Sequence, residues 1–129
     1  MQVDVCFTPD EYYPERYAGY TVVVIDVLRA TSTIVTAIAN GCLKIIPVDE
    51  IDKAWEKKKV FPAALLTGER LGRKIDGFDL GNSPLEFSPA VVGTRTIIMT
   101  TTNGTRAFFK CRNAQRVIAA AFLNAGTVG

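Results

Sequence analysis

Tyr20-Thr21-Val22-Val23-Val24-Ile25-Asp26 decides the fold. It is an unbroken β-branched run ending in a carboxylate, and such runs mark strands buried on both faces of a parallel sheet. Outward from it, helix and strand signals alternate. Thr31 or Ser32 can cap a helix running to Asn40, and Asn40-Gly41 is a helix stop. Leu43 to Val48 reads as a strand, Asp49 or Glu50 opens a helix through Trp55 to Lys59, and Ala63 to Thr67 is a further inner strand ending at Gly68-Glu69-Arg70. Leu71 to Ser83 reads as a long loop, and Ser83-Pro84-Leu85-Glu86 carries the residues of a capping box. Thr96 to Thr100 is a strand, Thr102-Asn103-Gly104-Thr105 leads into a helix through Cys111, and Arg116 to Ala121 is the last strand. Before the decisive run, Val3 to Phe7 reads as a short first strand and Asp10 to Gly19 as a loop. The alternation predicts an α/β fold, a three-layer α/β/α arrangement with a mostly parallel sheet, forming a single domain over residues 1–129.

Composition narrows the chemistry. The chain is 48% hydrophobic and 22% charged, ordinary for a globular protein. Its net charge of +2 gives no argument for nucleic acid. No apolar run approaches the ~18 residues that span a bilayer. Met1-Gln2-Val3-Asp4 lacks a signal-peptide pattern, so a cytoplasmic location is expected. Cys6, Cys42 and Cys111 are an odd, widely spaced set that suits a reducing compartment. There is no histidine, which excludes a Ser-His-Asp triad, a phosphohistidine and a His-ligated zinc site. Carboxylates, arginine, hydroxyls, amides or a metal must do any chemistry.

Ligands in open α/β sheets bind beyond the carboxyl ends of the strands, and three polar loops begin there. In Asp26-Val27-Leu28-Arg29-Ala30-Thr31-Ser32, the carboxylate suits a metal or a nucleophilic role. Arg29 suits a phosphate or carboxylate, and Thr31 and Ser32 open a helix that attracts anions. The competing reading is a structural Asp26–Arg29 ion pair. In the second loop Glu69, Asp76 and Asp79 lie among glycines, a hard-oxygen set suited to magnesium, against the plainer reading of a solvated loop. Ser83 is first a helix cap, and its helix start can also face an anion. In the third, Thr102, Asn103, Gly104 and Thr105 offer a phosphate cradle or simply a helix cap, without the lysine of a Walker loop.

Together these segments resemble the 2-phosphosulfolactate phosphatase family. The matching stretches are Val24 to Thr33, Gly68-Glu69-Arg70 with Phe78 to Pro84, and Thr101 to Ala107, in matching order and spacing. The resemblance implies magnesium-dependent hydrolysis of a phosphate monoester on a small sulfonated or carboxylated acid, as in coenzyme M biosynthesis. It carries Asp26, Arg29, Glu69, Asp79, Asn82, Ser83, Asn103, Gly104 and Thr105 as motif positions. It also implies that the chain corresponds to the amino-terminal half of a longer family member.

The roles expected on this basis are as follows. Asp26, Arg29 and Asp79 are catalytic, and Asp26, Glu69, Asp76 and Asp79 supply the Mg2+ ligands. Thr31, Ser32, Arg70, Asn82, Ser83, Thr102, Asn103, Gly104 and Thr105 bind substrate, with Arg70 or Arg106 on its second acid group. The expected partner is a small anionic phosphorylated substrate, with no nucleic acid and no membrane. An unpaired sheet edge favours a homodimer. One rival enzyme is a haloacid-dehalogenase-type phosphatase with Asp26 as nucleophile, although Leu28 stands where that pattern places a second Asp. The non-enzymatic rival is a shortened anion-binding or dimerisation domain.

Overall fold

The computed structural model describes residues Met1–Gly129. Its strands are β1 (Thr21–Ile25), β2 (Lys44–Pro47), β3 (Leu65–Arg70), β4 (Arg73–Lys74), β5 (Thr96–Thr100) and β6 (Arg116–Ala120). Between and after them lie α1 (Ala30–Ala39), α2 (Ile51–Val60), α3 (Pro89–Val92), α4 (Gly104–Lys110) and α5 (Ala125–Val128). The fold is α/β with mostly parallel strands. They fall into two groups. β2, β5 and β3 run parallel in that spatial order, with β4 antiparallel on the outer edge of β3. β1 and β6 form a separate parallel pair, with Val22 opposite Val117 and Val24 opposite Ala119.

Alternation along β3 and β5 sorts the core onto two sides. Leu65, Ile97 and Met99 meet Ala37 of α1, Phe87 and Val92 on one side. Leu66 and Ile98 meet Ala54 of α2, Ile75 and Phe78 on the other. This two-sided burial produces the three layers. Phe87 is fully buried, which is worth about 2–3 kcal/mol for such a side chain. Stacked Tyr12 and Tyr17, with Cys111, cover Val22 and Val117 on one face of the β1–β6 pair.

β5 has the bounds read from sequence, and α1 stops at Asn40-Gly41, where Gly41 takes φ 84°. Elsewhere the structure corrects the reading. Val3 to Phe7 forms no strand; Asp4 instead holds Arg16 and the Tyr17 hydroxyl. β1 is covered on one face only, leaving Val23 and Ile25 exposed at 40% and 68%. The inner strand β3 runs on through Gly68-Glu69-Arg70, because Gly68, at φ 147°, lets the backbone pass where a Cβ would lie 1.9 Å from the Thr100 carbonyl oxygen.

The long loop contains a hairpin to β4, turned by Leu71 and Gly72 at φ 52° and 78°, both in the left-handed region of a type I′ turn. The capping box does not form. Ser83 caps nothing, Glu86 accepts the Gly81 N–H at 2.9 Å, and a single 3-10 turn, Pro84–Glu86, results. Thr31 and Ser32 lie inside the first turn of α1 rather than capping it. No helix is long and apolar enough to cross a membrane.

Candidate active site

The carboxyl ends of β1, β3 and β5 deliver residues from all three polar loops to one open cleft of about 230 Å³. It is lined by Asp26, Leu28, Arg29, Glu69, Leu71, Gly72, Asn82, Thr102 and Asn103.

Glu69, the penultimate residue of β3, is buried and organises the floor. Its Oε1 accepts the Thr102 backbone N–H at 2.7 Å. Its Oε2 accepts the Gly72 N–H at 2.8 Å and the Thr102 hydroxyl at 3.2 Å. Burial pushes its carboxyl up, but the Thr102 and Gly72 donors outweigh burial and hold it below the usual glutamate range.

Asp26 follows β1. Its backbone N–H donates to Thr31 Oγ1 at 2.9 Å, and the Thr31 N–H donates back to the Asp26 carbonyl at 3.0 Å. Ser32 Oγ donates to the Val27 carbonyl at 2.6 Å. Thr31 and Ser32 therefore lock the strand-to-helix corner, and neither lines the cleft. Burial raises the Asp26 pKa, the nearby Glu69 charge adds to this, and the Ala30 backbone N–H opposes it in part. Gly104 permits the start of α4 to press against this corner. A Cβ there would lie 2.3 Å from the Ala30 Cβ and 2.9 Å from Asp26 Oδ2. Thr105 pairs with Thr101, whose N–H and hydroxyl it engages at 2.8 and 3.0 Å, so it fixes the turn and does not line the cleft.

Arg29 reaches from the start of α1 toward the hairpin, with Nη2 3.5 Å from the Gly72 carbonyl oxygen, and makes no ion pair with Asp26. Asn82 is 5% exposed; its backbone carbonyl accepts the Thr33 hydroxyl at 3.2 Å, while its Oδ1 has no partner.

Several expected site residues lie elsewhere. Asp79 pairs with the start of β3, where its Oδ2 accepts the Leu66 N–H at 2.8 Å. Three residues of strand, roughly 10 Å, separate that point from Glu69. Asp76 is exposed in the turn beside Gly77, which packs on Trp55. Of the expected acidic quartet Asp26, Glu69, Asp76 and Asp79, the cleft brings together Asp26 and Glu69, and no three carboxylate or thiol groups form a cluster that could hold a metal ion. Arg70 is held by Thr100 Oγ1 at 2.9 Å and the Glu69 carbonyl at 2.7 Å, and Arg106 lies 3.9 Å from Asp10. Neither lines the cleft, and nor does Ser83. Leu28, Leu71 and Gly72 also line the cleft and were not among the expected site residues; of the three, only Gly72 carried a local signal, as a glycine of the long loop.

Asp26 at the cleft and the unpartnered Asn82 Oδ1 are hard-oxygen donors of the type magnesium takes, while both Glu69 oxygens already accept hydrogen bonds from Thr102 and Gly72.

The family model described as 2-phosphosulpholactate phosphatase matches residues 6–129. A relative from Clostridium botulinum (strain Eklund 17B / Type B) is 48% identical over 130 residues, covering 99% of this chain and 55% of its own. One from Clostridium perfringens (strain 13 / Type A) is 47% identical over 132 residues, covering 99% and 53%. One from Caldanaerobacter subterraneus subsp. tengcongensis is 54% identical over 109 residues, covering 83% and 45%. All three are named probable 2-phosphosulfolactate phosphatase. The chain spans about half the length of these curated relatives. With both the family model and these identities extending through the segments that build the cleft, the chain belongs to the 2-phosphosulfolactate phosphatase family.

Proposed function

We propose that the chain serves a magnesium-dependent phosphatase that hydrolyses the phosphate monoester of 2-phospho-3-sulfolactate, or a related small phospho acid, to the hydroxy acid and phosphate, a step of coenzyme M biosynthesis. One observation carries the reading: Asp26, Arg29, Asn82, Thr102 and Asn103 face a single cleft whose floor Glu69 holds in place. The printed names of the relatives support the substrate. Free thiols suit a reducing cytoplasm.

Asp26 and the Asn82 Oδ1 would hold magnesium, with Glu69 beside them. When bound, the ion neutralises phosphoryl charge and acidifies the attacking water. Arg29 presents its fork of N–H donors to phosphoryl oxygens as charge redistributes. The Thr102 and Asn103 turn lines the same cleft, where it would border the phosphate, and Glu69 keeps that turn in register through the Thr102 N–H. Leu28 and Leu71 stand at the mouth.

The test is phosphate release from 2-phospho-3-sulfolactate and a panel of phosphorylated hydroxy acids, with magnesium or EDTA. It is run on the chain alone and on the chain exchanged for the matched span of the Clostridium botulinum relative. Magnesium-dependent release lost in Asp26→Asn is expected. Release that survives EDTA or the Asn variant ends this reading. A phosphoaspartate trapped on Asp26 would favour direct attack by that carboxylate instead.

A further inference from the structure

Leu28 and Leu71 are the two apolar side chains of an otherwise polar cleft. They are 88% and 92% exposed, so little of either packs on the rest of the chain. Core burial therefore does not account for them. Leu71 is also held in a backbone conformation that disfavours it, at φ 52° in a turn position suited to Asn or Gly. A bulky residue kept in the left-handed region, with nothing of the fold to pack on, points to a role at the cleft rather than in the core.

Their placement narrows that role. Leu28 comes immediately before Arg29 and Leu71 immediately before Gly72, and Arg29 Nη2 lies 3.5 Å from the Gly72 carbonyl oxygen. Glu69 Oε2 fixes the Gly72 side of this contact by accepting its N–H at 2.8 Å. The two leucines thus flank the one guanidinium that lines the cleft, one from the loop between β1 and α1 and one from the β3–β4 hairpin. Phosphoryl oxygens gain nothing from an aliphatic side chain, since they seek N–H donors or a cation. The carbon that bears the phosphate is different: with the phosphate beside Arg29, it falls within the space between the leucines. Arg70 and Arg106 are engaged elsewhere, so the cleft holds no second cation for a second acid group. What these side chains can discriminate is the carbon skeleton between the acid groups.

We propose that Leu28 and Leu71 are specificity-determining residues that grip the carbon skeleton of the phospho acid from two sides, so that the site favours acids with a carbon substituent beside the phosphate over unsubstituted ones. The inference rests on the proposed phosphatase reading and adds the residues that choose among its substrates. Arg29 holds the phosphate, and the leucines close on the aliphatic hydrogens next to it and remove that area from water. A substituent of one methyl group is then worth roughly fourfold in affinity, the yield of one buried CH2.

The test uses phosphonoacetate and 2-phosphonopropionate, hydrolysis-resistant acids that differ by one methyl group on the carbon beside phosphorus. Each is titrated calorimetrically into the magnesium-loaded chain, with inorganic phosphate as a third ligand. The readout is the ratio of the two phosphonate dissociation constants, in which a general loosening of the cleft cancels. The parent is expected to prefer 2-phosphonopropionate roughly fourfold, and the double variant Leu28→Ala, Leu71→Ala to lose that preference. Both side chains are exposed, so their truncation leaves the fold intact. The double variant Leu28→Met, Leu71→Met is expected to keep the preference, because methionine restores the aliphatic surface. A preference that survives both alanines overturns the proposal. Inorganic phosphate that fails to bind sinks the phosphatase reading and this inference with it. Phosphate that binds while the phosphonates do not, or bind without preference, sinks only the inference.

Discussion

Glu69 Oε1 accepts the backbone N–H of Thr102 at 2.7 Å, joining the end of β3 to the turn between β5 and α4. With Gly72 bound to its other oxygen, one carboxylate sets the positions of two cleft walls. Glu69→Gln keeps one acceptor but turns an amide NH2 toward donors. The expected cost at neutral pH is about 1–3 kcal/mol. Because the native carboxyl is held below its usual range, its stabilisation is full above the ordinary glutamate value and is lost as pH falls through the lowered one. Urea unfolding at neutral and acid pH checks this: the gap between parent and variant should close in acid.

Asp26 has the opposite sign. Burial and the Glu69 charge raise its pKa, so its favourable contribution is present below the ordinary aspartate value and disappears as pH rises through the raised one. Asp26→Asn is therefore expected to stabilise the neutral protein by roughly 0.5–1 kcal/mol, a figure kept small because the cleft is open to solvent. Turnover should be abolished in the same variant. Thermal scans at neutral pH showing a less stable Asn variant would contradict the assignment.

Gly104→Ala places a methyl group 2.3 Å from the Ala30 Cβ, a backbone-proximal clash with little room to relax. Overpacking of this kind costs about 1–3 kcal/mol. The double variant Ala30→Gly, Gly104→Ala should recover part of that loss, since the Asp26 Oδ2 contact remains. Absence of any recovery in chemical denaturation would place the strain elsewhere.

Leu71 sits at φ 52° in a two-residue turn that prefers Asn or Gly, and its side chain is 92% exposed. Leu71→Asn should raise stability by about 0.5–1 kcal/mol by relieving the left-handed penalty. A melting temperature that falls instead would mean that the leucine makes a stabilising contact.

Arg29→Lys keeps the charge and removes the planar fork. Phosphate binding to the magnesium-loaded protein should weaken roughly tenfold, where a pure point-charge role would leave it unchanged. Calorimetric titration with inorganic phosphate distinguishes the two.

Short-range signals were legible in the chain. The Thr96 to Thr100 strand, the Asn40-Gly41 stop and the polar residues after three strands all follow from local propensity and spacing. The same signals are silent on where the Asp79 carboxylate sits, since nothing local reveals that it accepts from Leu66 near the start of β3. They also credited Ser83 with a capping box, when Glu86 reaches Gly81 instead.

By itself the sequence determined the alternating α/β order, the absence of histidine chemistry and the three segments that carry the family likeness. The tertiary structure alone decided which groups meet. It set Asn82 Oδ1 without a partner, engaged Arg70 and Arg106 away from the cleft, and left one face of β1 bare. The reason is physical: propensity and periodicity act over a few residues. Glu69 and Thr102 are thirty-three positions apart, and only the parallel pairing of β3 with β5 brings them within hydrogen-bonding distance.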